Sequence, residues 1–354
     1  MFGKSSRVVT GLLATAALVA SALSGCATTA APQNDVAAPS LTLGYFDNVT
    51  HAPALVGIHE NFFATALGET TFTTQIFNAG PAAIEALSAG AIDAAYIGPS
   101  PAINSYLKSK GESLVVVSGA TSGGAALVVR DGINSVQDLR GTTLATPQLG
   151  NTQDVALRSW LKEKGLATNL DGTGDVSISP SENSDTLTLF KQGSLDGAWV
   201  PEPWASRLVL EAGGHVLVNE ADLWPNGEFP TTLLVVSKSY FDQYGGTVAA
   251  LVGANVESIQ WINDNPADVP SAINDVLMAD TGKTLKPEVL ESALANVSFT
   301  WNPVSAALQT LLDHAVSLDI VKTGSLTGLV QLGYLNAQLA KLGLAEVSDG
   351  GLGS

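Results

Sequence analysis

The chain nearly states one segment twice. Ala89-Gly90-Ala91-Ile92-Asp93-Ala94-Ala95-Tyr96-Ile97 returns 103 residues later as Gln192-Gly193-Ser194-Leu195-Asp196-Gly197-Ala198-Trp199-Val200. In both copies an amphipathic stretch (Ile84 and Leu87; Leu187 and Phe190) runs into glycine and a short apolar run follows. A proline-rich turn then closes each copy, Gly98-Pro99-Ser100-Pro101 or Pro201-Glu202-Pro203. That order reads as a helix ended by glycine, a short buried strand, and a turn opening the next helix. Its recurrence predicts two similar α/β lobes. In open α/β sheets ligands settle beyond the carboxyl ends of the strands, so each copy would bring a turn and an aromatic to a shared cleft. The plainer alternative is that Gly-x-Ile/Leu-Asp is a common helix–strand joint.

The N-terminus reads as an export segment. Lys4 and Arg7 precede an uncharged apolar stretch over 8–23, the length of a signal core and short for a spanning helix. Leu23-Ser24-Gly25-Cys26 follows, then a Thr/Ala/Pro/Asn-rich tether to about Ser40. The pattern resembles a bacterial lipoprotein signal, which implies Cys26 as the lipidated first residue of the mature chain. A signal peptide with a chance cysteine is the alternative. Cys26 is the only cysteine, so the body has no disulfide and no thiol ligand set. Setting residues 1–26 aside leaves 14 basic and 33 acidic side chains, a net charge of −19. That balance argues against nucleic acid, which demands a basic footprint. No second apolar run approaches the ~20 residues of a membrane span, so a transmembrane partner would be a separate chain.

Strand and helix signals alternate from residue 41 to about 236. Strands are expected at 41–46, 71–77, 94–97, 114–117, 125–130, 142–146, 175–178, 198–200, 216–218 and 231–236, with helices between most of them. Helical periodicity dominates 238–345. The segments 125–130 and 231–236 share a character and read as strands crossing between lobes. The expectation is therefore two doubly wound α/β lobes joined by a two-strand hinge, with the ligand cleft between them. Residues 41–129 and 234–345 would form lobe 1 and residues 130–233 lobe 2. Residues 1–26 would be the signal, 27–40 a flexible tether and 346–354 a C-terminal tail. Two crossings permit closure around a ligand.

Gly98-Pro99-Ser100 and Gly150-Asn151-Thr152 each sit between a strand and a helix. Helix N-termini present unpaired N–H groups and about half a positive charge. Ser100 and Thr152 add hydroxyls there. Two such ends facing each other would hold a compact oxyanion without Arg or Lys; the alternative is that Ser100, Asn151 and Thr152 only cap their helices. His51, in the first strand–helix loop, is either a donor or stacking group for the solute or a structural histidine. Glu202 either pairs with an amino group or caps its own helix. Tyr96 and Trp199 either clamp the organic part of a ligand or lie in the core. Trp204 is assigned to packing and Arg158 to the surface. His59, His215 and His314 are scattered without metal-like spacing. No metal or cofactor is expected.

The strand–loop–helix at Leu144-Ala145-Thr146-Pro147-Gln148-Leu149-Gly150-Asn151-Thr152-Gln153-Asp154, the segment Gly90-Ala91-Ile92-Asp93-Ala94-Ala95, the turn Pro201-Glu202-Pro203-Trp204 and the lipoprotein start together resemble one known family. It is that of the extracytoplasmic solute-binding proteins of ABC importers, of the nitrate, sulfonate and taurine type. The resemblance covers roughly 41–345 and implies a periplasmic binding protein type II fold. It also implies a sulfonate or similar head group at these loops, a membrane permease and a cytoplasmic ATPase as partners, and a monomer anchored by lipid on the outer face of the cell membrane. Nitrate, bicarbonate, a thiamine-precursor pyrimidine or a flavin are alternative solutes. From other classes, an exported hydrolase or a sensory domain stands as the competing reading. Neither a nucleophile elbow, a phosphate-binding Gly loop, a dinucleotide fingerprint nor an HExxH pair occurs, so no enzyme is expected.

Overall fold

The computed structural model describes residues 1–3 and 34–353. The export segment with Cys26 and the tether up to residue 33 lie outside the described residues. Eleven strands follow in chain order among the described residues. They are β1 Ser40–Tyr45, β2 Thr71–Ile76, β3 Ala94–Ile97, β4 Leu114–Gly123, β5 Ala125–Val129, β6 Thr143–Thr146, β7 Ser177–Pro180, β8 Gly197–Pro201, β9 His215–Asn219, β10 Pro230–Ser237 and β11 Val297–Phe299. They form two mixed sheets, ordered β11-β4-β10-β3-β1-β2 and β7-β6-β8-β5-β9. Each sheet carries helices, giving the two α/β lobes that the repeat predicted.

The repeat occupies equivalent places in the two sheets. β3 lies between parallel β1 and antiparallel β10; β8 lies between parallel β6 and antiparallel β5. The two aspartates of the repeat do one job. The Asp93 carboxylate accepts from the Thr42 amide at 2.8 Å, and the Asp196 carboxylate accepts from the Thr143 amide at 2.8 Å. Each fastens the start of the neighbouring parallel strand. In the second lobe, alternation along the strands divides the core. Leu127, Val129, Leu144 and Trp199 face one helical layer; Ala126, Val128, Ala145, Ala198 and Val200 face the other. Burial on both faces explains why these strands read as unbroken apolar runs.

The crossings differ from the expected positions. β5, expected with lobe 1, pairs with β8 and β9 in the five-stranded sheet. The turn between the sheets is made earlier, by Gly123 (φ +79°) and Gly124 (φ +74°). Only glycine takes this backbone freely, and a Cβ on Gly124 would stand 2.3 Å from Val297 Cγ1. The return lies before Pro230, since all of β10 belongs to the six-stranded sheet.

The segment from residue 34 and the last described residues are both docked. Residues 34–40, expected as flexible tether, are held. Asn34 Nδ2 donates to the Asp242 and Gln243 carbonyls at 2.9 and 2.8 Å, Gly246 N donates to Val36 O at 3.1 Å, and Ala38 N donates to Thr247 Oγ1 at 2.7 Å. Two glycines allow this approach: a Cβ on Gly245 would lie 2.0 Å from Asn34 O, and one on Gly246 2.6 Å from Asp35 O. At the other end, Gly328 N and Val330 N donate to Leu352 O at 2.9 and 3.2 Å. Among the described residues, no helix is long and apolar enough to cross a membrane.

Candidate functional site

Strands β1, β2, β3, β6 and β7 each lead into a helix, and the turns at their carboxyl ends converge from both lobes on one small cavity. Its walls include Asn48 and His51 after β1, Asn78 after β2, Gly98 after β3, Asn151 and Thr152 after β6, and Asn183 after β7; Thr231 and Thr232 of β10 close it. The volume is about 20 Å³, on the scale of a single water. Among the described residues, no Asp, Glu, Lys or Arg lines it. Asn183 Oδ1 and Thr232 Oγ1 in its wall, and Ser100 Oγ beside it, have no hydrogen-bond partner among the described residues although these side chains are buried. An unpaired buried polar atom costs roughly 1–3 kcal/mol, so three together mark a place that a polar guest would satisfy.

The lobes touch across this chamber. Ser100 N donates to Thr152 Oγ1 at 3.4 Å, bringing together the two helix starts singled out in the sequence. Trp204 Nε1 of the second lobe donates to Asn48 Oδ1 of the first at 2.7 Å. Asn296 Nδ2 of the first donates to Glu202 Oε1 of the second at 2.7 Å.

The two starts are not equal donors. In the helix Pro99–Lys108, prolines at the first and third positions carry no N–H, which leaves Ser100 N as the single amide of the first three. In the helix Thr152–Glu163, the Asn151 side chain accepts from Gln153 N and Asp154 N at 2.9 and 3.2 Å. Asn151 is thus a true cap, and the Thr152 hydroxyl is what this start presents to the cleft. The loop before it is pinned by Asp154, which accepts from Thr146 Oγ1 at 3.0 Å, Gly150 N at 2.9 Å and Arg158 Nε at 2.9 Å. Arg158, expected on the surface, is only 1 % exposed. It also donates through Nη1 to Asn169 O at 2.6 Å.

His51 is buried and lines the chamber. Its Nδ1 accepts from Phe46 N at 3.3 Å, and its ring stacks on Phe46 at 4.3 Å. Burial depresses its basicity to about 3, so the ring is neutral. With Nδ1 accepting, the hydrogen is assigned to Nε2, a neutral donor.

Six expected site residues do not line the chamber: Ser100, beside it, and five others. Tyr96 is fully buried between its sheet and the helix Gly245–Asp264, where its hydroxyl donates to Asn255 Oδ1 at 2.7 Å. Trp199 is fully buried, donates to Glu220 Oε2 at 2.7 Å and meets Trp160 edge-on at 5.9 Å. Helices cover both faces of each strand, so neither aromatic reaches the cleft. Glu202 accepts from Ser206 N at 3.1 Å, Ser206 Oγ at 3.0 Å and Asn296 Nδ2; burial raises its pKa, and these bonds oppose the shift. It caps its helix and ties the lobes. Pro99 and Gly150 shape their turns without lining the chamber.

The chamber adjoins a second, larger one of about 530 Å³ that shares Phe46, Asn48, Asn78 and Asn183 with it. This outer volume suits a small organic molecule. Asp47, Phe77, Trp204 and Arg207 lie in its wall. Trp204, assigned from sequence to packing, thus faces the cleft, with the Arg207 guanidinium 4.7 Å from its ring centre. Asn78 and Asn183 were missed, though each occupies a strand-to-helix turn like those singled out. Among the described residues, no three His, Cys, Asp or Glu gather to hold a metal ion.

Known proteins share this architecture. The alkanesulfonate-binding protein of Xanthomonas axonopodis pv. citri, solved with MOPS, superimposes with a TM-score of 0.68 at 22% identity, covering 81% of this chain and 96% of that one. The periplasmic nitrate-binding protein of Synechocystis PCC 6803 gives 0.74 at 15% identity, covering 86% and 89%. At these identities the likeness concerns the fold alone. The taurine-binding periplasmic protein of Escherichia coli K12 is 25% identical over 230 residues, 65% of this chain and 68% of that protein. Candidate binding proteins of Brucella are 27% identical over 162 residues, and the chain spans about half (48%) of their length. With the NMT1-like family model matching residues 34–274, more than half of its length, the chain belongs to the NMT1-like family.

Proposed function

We propose that this chain is the extracytoplasmic solute receptor of an ABC importer. It captures a small oxyanion-bearing organic solute, a sulfonate first among them, between its lobes and passes it to a membrane permease driven by a cytoplasmic ATPase. It performs no chemistry on the solute. The observation that carries this reading is the uncharged inner chamber, built from both lobes at the carboxyl ends of parallel strands and walled by amides, hydroxyls and a neutral imidazole. Such donors can hold an oxyanion locally although the molecule is acidic overall. His51, Ser100, Asn151 and Thr152 are the proposed contacts among the residues singled out from sequence, joined by Asn78 and Asn183. Its taurine-, alkanesulfonate- and nitrate-binding relatives support the same class. Residues 41–124 and 230–345 would move as one body and 125–229 as the other, the body being a monomer held to the membrane through Cys26.

Thermal unfolding with taurine, ethanesulfonate and nitrate tests the reading. A ligand at 100 times its Kd adds about 2.7 kcal/mol of stability, a readily measured shift, and the absence of a shift with all three would refute it. The small volume of the inner chamber favours one second reading, nitrate or bicarbonate alone. That reading expects stabilisation by the inorganic anion and none by either sulfonate.

A further inference from the structure

We infer that the cleft takes up its anion together with a proton, held in the wall of the outer chamber by the carboxyl pair of Asp47 and Asp280. The inference rests on the oxyanion reading of the inner chamber and adds to it a linkage to pH.

The pair joins two elements. Asp47 follows β1 and lies in the outer wall; Asp280 lies in the last turn of the helix Val269–Thr281. Their side chains are hydrogen-bonded to each other, and two carboxyl groups share such a bond only when one of them keeps its hydrogen. The Tyr45 hydroxyl donates to Asp280 Oδ2 at 2.6 Å. That favours Asp280 as the acceptor and leaves the hydrogen on Asp47. Burial, then the charge of Asp280, pushes the half-buried Asp47 carboxyl up to about 7, so this hydrogen exchanges near neutrality.

The pair stands close to the proposed anion seat. Asp47 lies between Phe46 and Asn48, which line both chambers. Two like unit charges ~10 Å apart, at an effective dielectric of about 20, disfavour ionisation roughly tenfold. An anion in the inner chamber therefore draws a proton onto Asp47, and the protonated pair binds the anion more tightly. Other charged or titratable groups around Asp47 are Tyr45 on its own strand and His51, neutral, in the turn that follows. Glu182 and Lys191 come from the start and end of the helix Asn183–Lys191, Arg207 and Glu211 from the helix Trp204–Ala212, and Lys283 from the loop after Asp280. Lys191 and Arg207 each reach Glu211 at 3.2 Å, which leaves Asp280 as the charge that governs Asp47.

Isothermal titration of the full chain with ethanesulfonate, which stays ionised from pH 6 to pH 8, tests the linkage. Affinity is expected to fall about fivefold from pH 6 to pH 8, with roughly half a proton taken up per anion near pH 7.5. The uptake is read from the heats in buffers of different ionisation enthalpy. In Asp47→Asn, with folding checked by its thermal transition, both effects are expected to vanish. Its affinity at pH 8 is expected to lie within about twofold of that of the unaltered chain at pH 6. Asp280→Asn removes the neighbouring charge and is expected to move the transition to lower pH. Equal affinity at pH 6 and pH 8 without proton uptake overturns the linkage and leaves the oxyanion reading intact. A pH dependence that persists unchanged in both variants overturns the assignment to this pair. Absence of binding at every pH overturns both readings.

Discussion

Arg158 and Asp154 are an i,i+4 pair, a spacing visible in the sequence, yet their weight comes from burial that spacing does not reveal. An exposed pair of this kind is worth a few tenths of a kcal/mol. Here both side chains are at most 1 % exposed, and Asp154 also holds Thr146 and Gly150. Arg158→Met leaves the Asp154 charge without its cation in the interior, a change that costs roughly 3–5 kcal/mol. Urea unfolding should show that loss; a change below 1 kcal/mol would mean that the loop is fixed by other bonds. His51 supplies a pH signature. In the unfolded chain it titrates near 6.5, and in the fold near 3. Between those values the unfolded state binds the extra proton, so this residue's contribution rises with pH and is lost as pH falls from 6.5 toward 3. The slope is at most about 1.4 kcal/mol per pH unit. Subtracting the stability profile of His51→Gln from that of the unaltered chain should isolate this slope, and a flat difference would contradict a buried neutral ring.

At the scale of elements, the repeat was legible as helix, strand and turn, and the structure explains its least variable feature. Asp93 and Asp196 stand where the amide of the adjacent parallel strand must be paired, so the same residue recurs at both joints. Asp93→Ala and Asp196→Ala should each cost about 1–3 kcal/mol through the lost amide bond, and Asp196→Ala somewhat more, because Asp196 also meets Arg130 Nε at 3.3 Å. Calorimetric melting of the single variants checks this, and a larger loss in Asp93→Ala would mean that the amide bonds of the two joints are not equivalent. The aromatics of the repeat were not legible. Alternation along a strand says that Tyr96 shares a face with Ala94, but not which layer that face meets, and both layers here are helical. The first turn of the helix Pro99–Lys108 could have been read more closely: two prolines in three positions already announce a poor amide donor. The Gly-Asn-Thr start gave its cap and its cleft-facing hydroxyl at adjacent residues, so local chemistry and site coincide there.

The whole molecule turns on the gap between the lobes. Sequence placed that gap near its true position because the strand runs and their turns fix the carboxyl ends. It missed how closely the lobes approach, since contact across a cleft depends on a residue without a side chain at the boundary rather than on any run. Gly98 is that residue. A Cβ at this position would stand 2.3 Å from Thr152 Oγ1 and 3.4 Å from Thr152 Cβ, across the lobe boundary. The nearest obstruction therefore belongs to the other lobe, and the strain is relieved by opening rather than by unfolding either core. Gly98→Ala should enlarge the radius of gyration in small-angle scattering and weaken solute binding while leaving the thermal transition nearly in place. Adding Thr152→Ala removes the clashing oxygen and should restore the compact radius even where binding stays weak. A Gly98→Ala chain as compact as the unaltered one would show that the contact yields by local shifts and that closure is not governed at this point.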